Sequence, residues 1–177
     1  MDIDWHEVFE YRDGVLIFKE RPSDHFSTER ARSIFNSKYA GKPAGAICKA
    51  SGYRLVGLRY KGHALRLYAH RIIWEMFNPP IPKGMSIDHI DHCSANNRIE
   101  NLRLATKSTN GMNRKVPANS SSGLKNIAWA KDKGKWRVYA SLHKKQYNGG
   151  LYSDLELAEL VAHELREKIH GEFACHD

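Results

Sequence analysis

Asp88 and His89 stand side by side in the run from Ile87 to Asn113, IDHIDHCSANNRIENLRLATKSTNGMN, and Asn97, Asn101 and Asn110 follow at intervals. These residue types suit hydrolysis of a phosphodiester. A carboxylate is a hard oxygen ligand for a divalent cation. An imidazole is the side chain best poised to take a proton from water near neutral pH. An asparagine carbonyl can complete a metal shell or hold the imidazole in one tautomer. The plainer reading of Asp88 and His89 is a turn-stabilising pair. Asp91 and His92 widen the cluster to DHIDH, a possible zinc set, but they fall where a strand leaves for a loop. Asn96 and Asn97 read as groups that order that loop.

The neighbouring elements follow from pattern. Leu102 and Leu104, two apart in ANNRIENLRLAT, fit a short strand with one buried face. Thr106 or Ser108 is placed to cap a helix after it. Upstream, HRIIWEMF from His70 to Phe77 predicts a short helix ended by Asn78-Pro79-Pro80, with Ile73, Trp74 and Phe77 as its buried stripe. Residues 1–68 read as β-rich. Val15 to Lys19 leaves a turn at Asp13-Gly14, and AGAICK, YRLVGLRY and ALRLYAH are separated by turns at Ser51-Gly52 and Lys61-Gly62. Ser27 to Asn36 is polar, a helix or a loop. Arg54, Val56, Leu58 and Tyr60 would share one strand face, and Leu55, Gly57 and Arg59 the other. Their basic members either track phosphates or sit on a solvated face.

The central run resembles the HNH nuclease motif in its phage homing endonuclease version: Asp-His, then NNRIENLRLAT, then an asparagine on the next helix. Asn101 lies twelve residues after His89, and Asn110 twenty-one. The resemblance implies a ββα-metal fold. Its first strand would carry Asp88 and His89, a second would run from Arg103 to Ala105, and a helix would present Asn110. It further implies His89 and Asn101 as catalytic residues and Asp88 and Asn110 as metal ligands. His70, Asn97 and Arg103 would support them. The metal would be a divalent cation, magnesium first and manganese second.

Composition agrees with an anionic partner. The chain has 177 residues, a net charge of +8 and a pI of about 9.4, which favours nucleic acid, here double-stranded DNA. No apolar run reaches the roughly 20 residues of a membrane span, and MDIDWHEVFEY lacks the apolar core of a signal peptide. Cys48, Cys93 and Cys175 are scattered and odd in number, which suggests a reducing compartment and no zinc cage. The expected location is the cytoplasm, that of a bacterial host if the chain is phage-encoded. The expected state is a monomer.

Val116 to Gly123, rich in Pro, Ser, Asn and Gly, reads as a linker. The expected division is therefore 1–68, a nuclease core at 69–115, a linker at 116–122 and a last domain at 123–177. In that domain KNIAWAK, KWRVYASL and KKQYNGGLY are three strands with turns near Lys133-Gly134 and His143-Lys144. A helix follows with Ser153 and Glu156 as a capping box, an apolar stripe through Leu155, Ala158, Ala162, Leu165 and Ile169, and Gly171 as its stop. From Gly123 to Tyr152 six Lys and one Arg face one Asp, a net +6, while Ser153 to Asp177 carries a net −5. The sheet can therefore face phosphates while the helix braces it. Alternation puts Trp136, Val138, Ala140 and Leu142 on the helix side and Lys135, Arg137, Tyr139 and Ser141 outside. Lys144 and Lys145 join the DNA-binding set.

This segment resembles the DNA-binding domain of the APETALA and ethylene-response-factor family, through the GKW of Gly134 to Trp136, Gly150-Leu151-Tyr152, and HGEFA from His170 to Ala174. Ala128 and Ser141 stand where that family has base-reading arginines. The sequence thus predicts an α+β chain in which a β-rich region and a ββα-metal core precede a three-stranded antiparallel sheet packed on one helix. Two functions compete: a metal-dependent DNA endonuclease of homing type, and a DNA-binding regulator on an inactive HNH fold. The presence of all four expected catalytic residue types favours the first.

Overall fold

The structure is a computed structural model, and it describes residues 3–112, 116 and 120–174. The architecture is α+β, in two compact units, Met1–Leu104 and Ala105–Asp177. The division therefore falls at Leu104, ahead of the expected linker. Within that linker Pro117, Ala118 and Asn119 lie outside the described residues, as do Arg114, Lys115 and Cys175.

The first unit begins with α1 (Trp5–Val8) and the hairpin β1 (Phe9–Arg12) and β2 (Val15–Phe18). Asp13 and Gly14 turn it with φ of 45° and 84°, the left-handed pair that suits strand twist in a tight hairpin. The polar 27–36 segment is helical: α2 (Glu29–Tyr39) is capped by Thr28, whose hydroxyl accepts the Ala31 amide. The helical alternative for that segment is thus the one taken, in a region that also holds five strands. The AGAICK run gives only the short β3 (Ala46–Ile47), because a turn closes at once with Ser51 and Gly52 amides on the Cys48 carbonyl. β4 (Arg54–Tyr60) and β5 (His63–Tyr68) complete an antiparallel meander in the order β3-β4-β5.

Next, α3 (Ala69–Phe77) buries Ala69, Ile72, Ile73 and Met76. That is the i, i+3, i+4, i+7 face of a helix counted from Ala69. The expected stripe is corrected accordingly: Ile73 is on it, Trp74 is only partly buried, and Phe77 is 49% exposed. This face meets Val56, Leu58 and Tyr60 of β4 and Phe9 and Leu16 of the hairpin in one core. β6 (Met85–His89) follows, then a loop, then β7 (Leu102–Thr106), and the two strands pair. Ile87 and Leu102 anchor them in the same core.

In the second unit, α4 (Lys107–Met112) is started by Thr106, whose Oγ1 accepts the Thr109 amide while Thr109 Oγ1 accepts that of Thr106. β8 (Ile127–Ala130), β9 (Lys135–Leu142) and β10 (Lys145–Tyr152) form an antiparallel sheet in the order β10-β9-β8. α5 (Leu155–His170) packs on it through Ala158 and Ala162 against Ile127 and Val138. Its cap is Asp154, which accepts the Leu157 amide, one residue later than the expected Ser153. Gly171 ends it with φ of 53°. The buried face continues through polar residues that the apolar stripe does not contain. Arg166 donates to the Lys125 carbonyl at 2.8 Å, and His170 Nε2 bonds the Ser141 carbonyl at 3.1 Å.

Candidate functional site

Asp88 and His89 end β6, and both are buried, at 7% and 6% exposure. Strand alternation sends the two side chains to opposite sides. The Asp88 carboxylate meets Arg103 of β7, whose Nε and Nη2 both lie 3.0 Å from Oδ2. A guanidinium fork against a carboxylate is charge-assisted and orientationally strict, so Arg103 fixes the direction of Asp88.

His89 Nε2 lies 3.0 Å from Oδ1 of Asn97. A carboxamide oxygen only accepts, so Nε2 carries the hydrogen and Nδ1 is the basic nitrogen. Asn97 is 2% exposed. The loop that holds it is knotted by Asp91. Its carboxylate accepts the Cys93 amide and the side chains of Asn96 and Asn101. Asn101 also donates to the Asn96 carbonyl and accepts the Asp91 amide through Oδ1. Partial burial raises the Asp91 carboxyl, but the Asn96, Cys93 and Asn101 hydrogen bonds outweigh it and leave it below its usual range. The spacing expects Asn101 at the chemistry and Asn97 in the loop. In the structure the carboxamide on the imidazole is Asn97, and Asn101 ties the loop. Asp91 closes that loop as well, and Cys93 is an exposed free thiol within it.

A wall of rings stands behind His89. His70, from the start of α3, meets it edge-on at 5.2 Å between centroids. Tyr68 stacks on His70 at 5.4 Å, and Tyr53 lies 5.1 Å from His70 and 5.8 Å from His89. The two tyrosines carry no sequence signal for this role, since they lie on the meander, far from the DHIDH run. Burial, reinforced by His89 and Arg71, lowers the His70 pKa from 6.5 to about 4. The folded chain keeps His70 neutral where the unfolded chain protonates it. Its contribution to stability is therefore full above pH 6.5 and declines as pH falls toward 4, by on the order of 3 kcal/mol. Denaturant titrations across that range should show a flatter decline for His70→Phe than for the parent chain.

The N-terminal hairpin supports the loop. The Tyr11 hydroxyl accepts the Ile99 amide at 3.0 Å. Gly14, at φ of 84°, packs so closely that a Cβ would come 2.8 Å from Arg98 N and 2.9 Å from the Asn97 carbonyl carbon. Gly14→Ala must therefore both strain the turn and push the backbone of Asn97. Gly41, at φ of 74° with nothing within 4 Å of a Cβ, supplies the comparison. Gly41→Ala should cost about 1–3 kcal/mol from backbone strain alone. Gly14→Ala should cost more in denaturation and should also slow any reaction that uses His89. Equal losses in the two variants would show that the contact is unimportant.

Asn110 lies on α4, in the second unit. Among the described residues no three His, Cys, Asp or Glu side chains gather as a metal group. Asp88 itself is a carboxylate, and a hard oxygen donor suits an ion that keeps much of its water rather than a caged zinc. No helix among the described residues is long and apolar enough to cross a membrane.

The sheet of the second unit has a clear outer face. Val138 and Ala140 are fully buried, while Lys135, Arg137 and Ser141 are exposed and Tyr139 is half-buried. Trp129 pairs with Trp136 on the helix side, their rings 4.8 Å apart, and remains 41% exposed at the sheet edge. Lys144, at φ of 66°, is in the β9–β10 turn. Lys145, also in the expected set, is exposed. It pairs with Leu142, and directly paired residues share a face, so it belongs to the helix side. Its ammonium lies 5.3 Å from the ring centroid of Tyr147, which pairs with Ala140 on that same side.

Comparison with known proteins adds the family. An HNH endonuclease model matches residues 67–112, which contain His70, Asp88, His89, Asn97, Asn101, Arg103 and Asn110. Protein 3.8 of Escherichia phage T7 is 41% identical over 107 residues, covering 59% of this chain and 86% of that protein. YosQ of Bacillus subtilis, whose name places it among SPbeta prophage-derived HNH homing endonucleases, is 32% identical over 78 residues, 44% of this chain and 45% of YosQ. This chain thus spans under half the length of YosQ. A solved structure on DNA binding and cleavage by the HNH homing endonuclease I-HmuI aligns with a TM-score of 0.41 at 24% identity, covering 57% of this chain and 47% of that one. On the extent of the match to Protein 3.8, together with the HNH model, the chain belongs to the family of that phage protein and carries an HNH endonuclease domain.

Proposed function

We propose that the chain is a metal-dependent DNA endonuclease of homing type, with His89 as general base and the sheet of the second unit as a DNA-binding face. One observation carries the reading. Within the segment matched by the HNH model, the imidazole beside Asp88 is held through Nε2 by a buried asparagine oxygen, which makes Nδ1 the basic nitrogen.

In the proposed reaction a water molecule forms a bond to phosphorus as the bond from phosphorus to the 3′ oxygen breaks. His89 Nδ1 takes the proton from that water. Asn97 keeps the ring aligned while it becomes charged, and the Tyr53 and His70 rings limit its rotation. Asp88, held by Arg103, is the proposed first protein oxygen for a magnesium or manganese ion. Asn110 is the second, on its sequence spacing to His89. When bound, such an ion stabilises the charge on phosphorus and on the leaving 3′ oxygen. Asn101 acts indirectly, by tying the loop that carries Asn97.

The outer sheet face is the proposed DNA contact. Lys135 and Arg137 lie on it, Tyr139 is between them and the hairpin end, and Lys144 is at the turn. The net +6 of this segment against the net −5 of the helical segment supports that polarity. A direct test incubates supercoiled plasmid with the protein and magnesium, with and without a chelator. Nicked or linear product that vanishes with the chelator is the expected result. Cleavage by metal-stripped protein in chelator would remove the metal from the proposal, and binding without any cleavage would favour a regulatory role.

A further inference from the structure

β10 contains a bulge that decides where Leu151 points. Tyr147 pairs with Ala140 and Asn148 with Tyr139, but the next pair is Gly150 with Val138, which leaves Gly149 as the extra residue. Only glycine fits there, since a Cβ would come 2.6 Å from Val138 Cγ1 and 3.1 Å from Leu165 Cδ2. Without the extra residue, alternation from Tyr147 would turn Leu151 inward, beside the core. With it, Leu151 pairs with Arg137 on the outer face, and Tyr152 takes the inner place beside Trp136. The Tyr152 hydroxyl secures the arrangement by donating to the Gly149 carbonyl at 2.7 Å. Bulges commonly re-aim a side chain in this way.

The result is an outer row of Ala128, Arg137 and Leu151, each paired directly across the strands. Leu151 is 40% exposed. A solvated sheet face is ordinarily polar, and the core gains nothing from a leucine turned away from it. Arg137 makes an ion pair of 3.9 Å with exposed Asp132, which is too weak to hold the guanidinium back from a ligand.

A guanidinium between two apolar side chains has a specific match in the major groove, which admits a β-ribbon. Arginine pairs bidentately with guanine O6 and N7, and apolar side chains contact the thymine methyl. We propose that this row reads a guanine next to a thymine, with Arg137 on the guanine and Leu151 packed on the thymine methyl. The proposal rests on the reading that this face binds DNA.

The test uses the full chain in chelator, so that bound duplex stays intact. Preferred duplexes are selected from a randomised pool, and each thymine of the selected site is then replaced by deoxyuridine, which lacks only the methyl group. One thymine adjacent to a guanine should show about fourfold weaker binding on replacement, the equivalent of ~0.8 kcal/mol for one buried carbon group. Leu151→Ser should bind thymine and uracil duplexes alike at that position, and Arg137→Ala should lose the preference for the neighbouring guanine. Melting curves of both exposed-site variants check that they fold. If no thymine shows a methyl effect that Leu151→Ser abolishes, or if no sequence is selected, the inference fails while Arg137-dependent affinity keeps the DNA-binding face. If Arg137→Ala changes neither affinity nor its salt dependence, the face itself is misassigned, and both readings fall.

Discussion

His89→Ala should bind DNA as the parent chain does and cut it roughly 10²–10⁴-fold more slowly, the range for loss of a general base. Binding survives because the proposed phosphate contacts lie on another element. The rate falls because the proton acceptor is gone. His70, whose ring meets that of His89, is a poor replacement, since its pKa is lowered to about 4. Asn97→Ala leaves the base in place and removes the oxygen that fixes its tautomer, so it should lose less rate and should also change the pH profile of cleavage. Asn101→Ala loosens the loop and should lower stability together with rate. Single-turnover cleavage at saturating protein separates the three. Cleavage by His89→Ala within a few-fold of the parent would sink the general-base assignment. An Asn101→Ala variant as slow as His89→Ala, with stability unchanged, would return Asn101 to the chemistry.

What could be read from the sequence was whatever depends on local spacing. The Leu102–Thr106 strand and the three strands of the second unit follow from alternation and turn residues, the Asp88-His89 strand follows from the motif's resemblance, and all are present. The exchange between Asn97 and Asn101 could not be read that way. Both lie in one loop, and which of them reaches His89 depends on how Asp91 folds that loop back, through bonds spanning up to ten residues. The α3 stripe was displaced because three bulky residues, Ile73, Trp74 and Phe77, outweighed the true helical register starting at Ala69. The buried face of α5 was incomplete for a different reason. An apolar stripe leaves out Arg166 and His170, but each finds a backbone carbonyl to bond, and buried polar groups are tolerated on that condition. The face of Lys145 could not be read from its charge, because the hairpin register sets it.

Removing Lys135 and Arg137 together should flatten the dependence of DNA affinity on salt. Each phosphate contact contributes about 0.9 to the slope of log affinity against log salt on duplex DNA. The double alanine variant should therefore lose about 1.8 in slope if both residues meet phosphate. It should lose about 0.9 if Arg137 meets a base edge instead and only Lys135 follows the backbone. Lys145→Ala is the control, because it removes the same charge from the same sheet but from the helix side, beside Tyr147. Its slope should change by much less than that of Lys135→Ala. Turnover at saturating protein should be little altered in any of these variants, since none of the residues has a proposed part in the chemistry. Fluorescence anisotropy of the full chain in chelator, from low to moderate salt, measures the slopes. A double variant with the parent slope would show that the outer face carries no phosphate contact. A Lys145→Ala slope as reduced as that of Lys135→Ala would show that charge alone, irrespective of the face, sets the affinity of this unit.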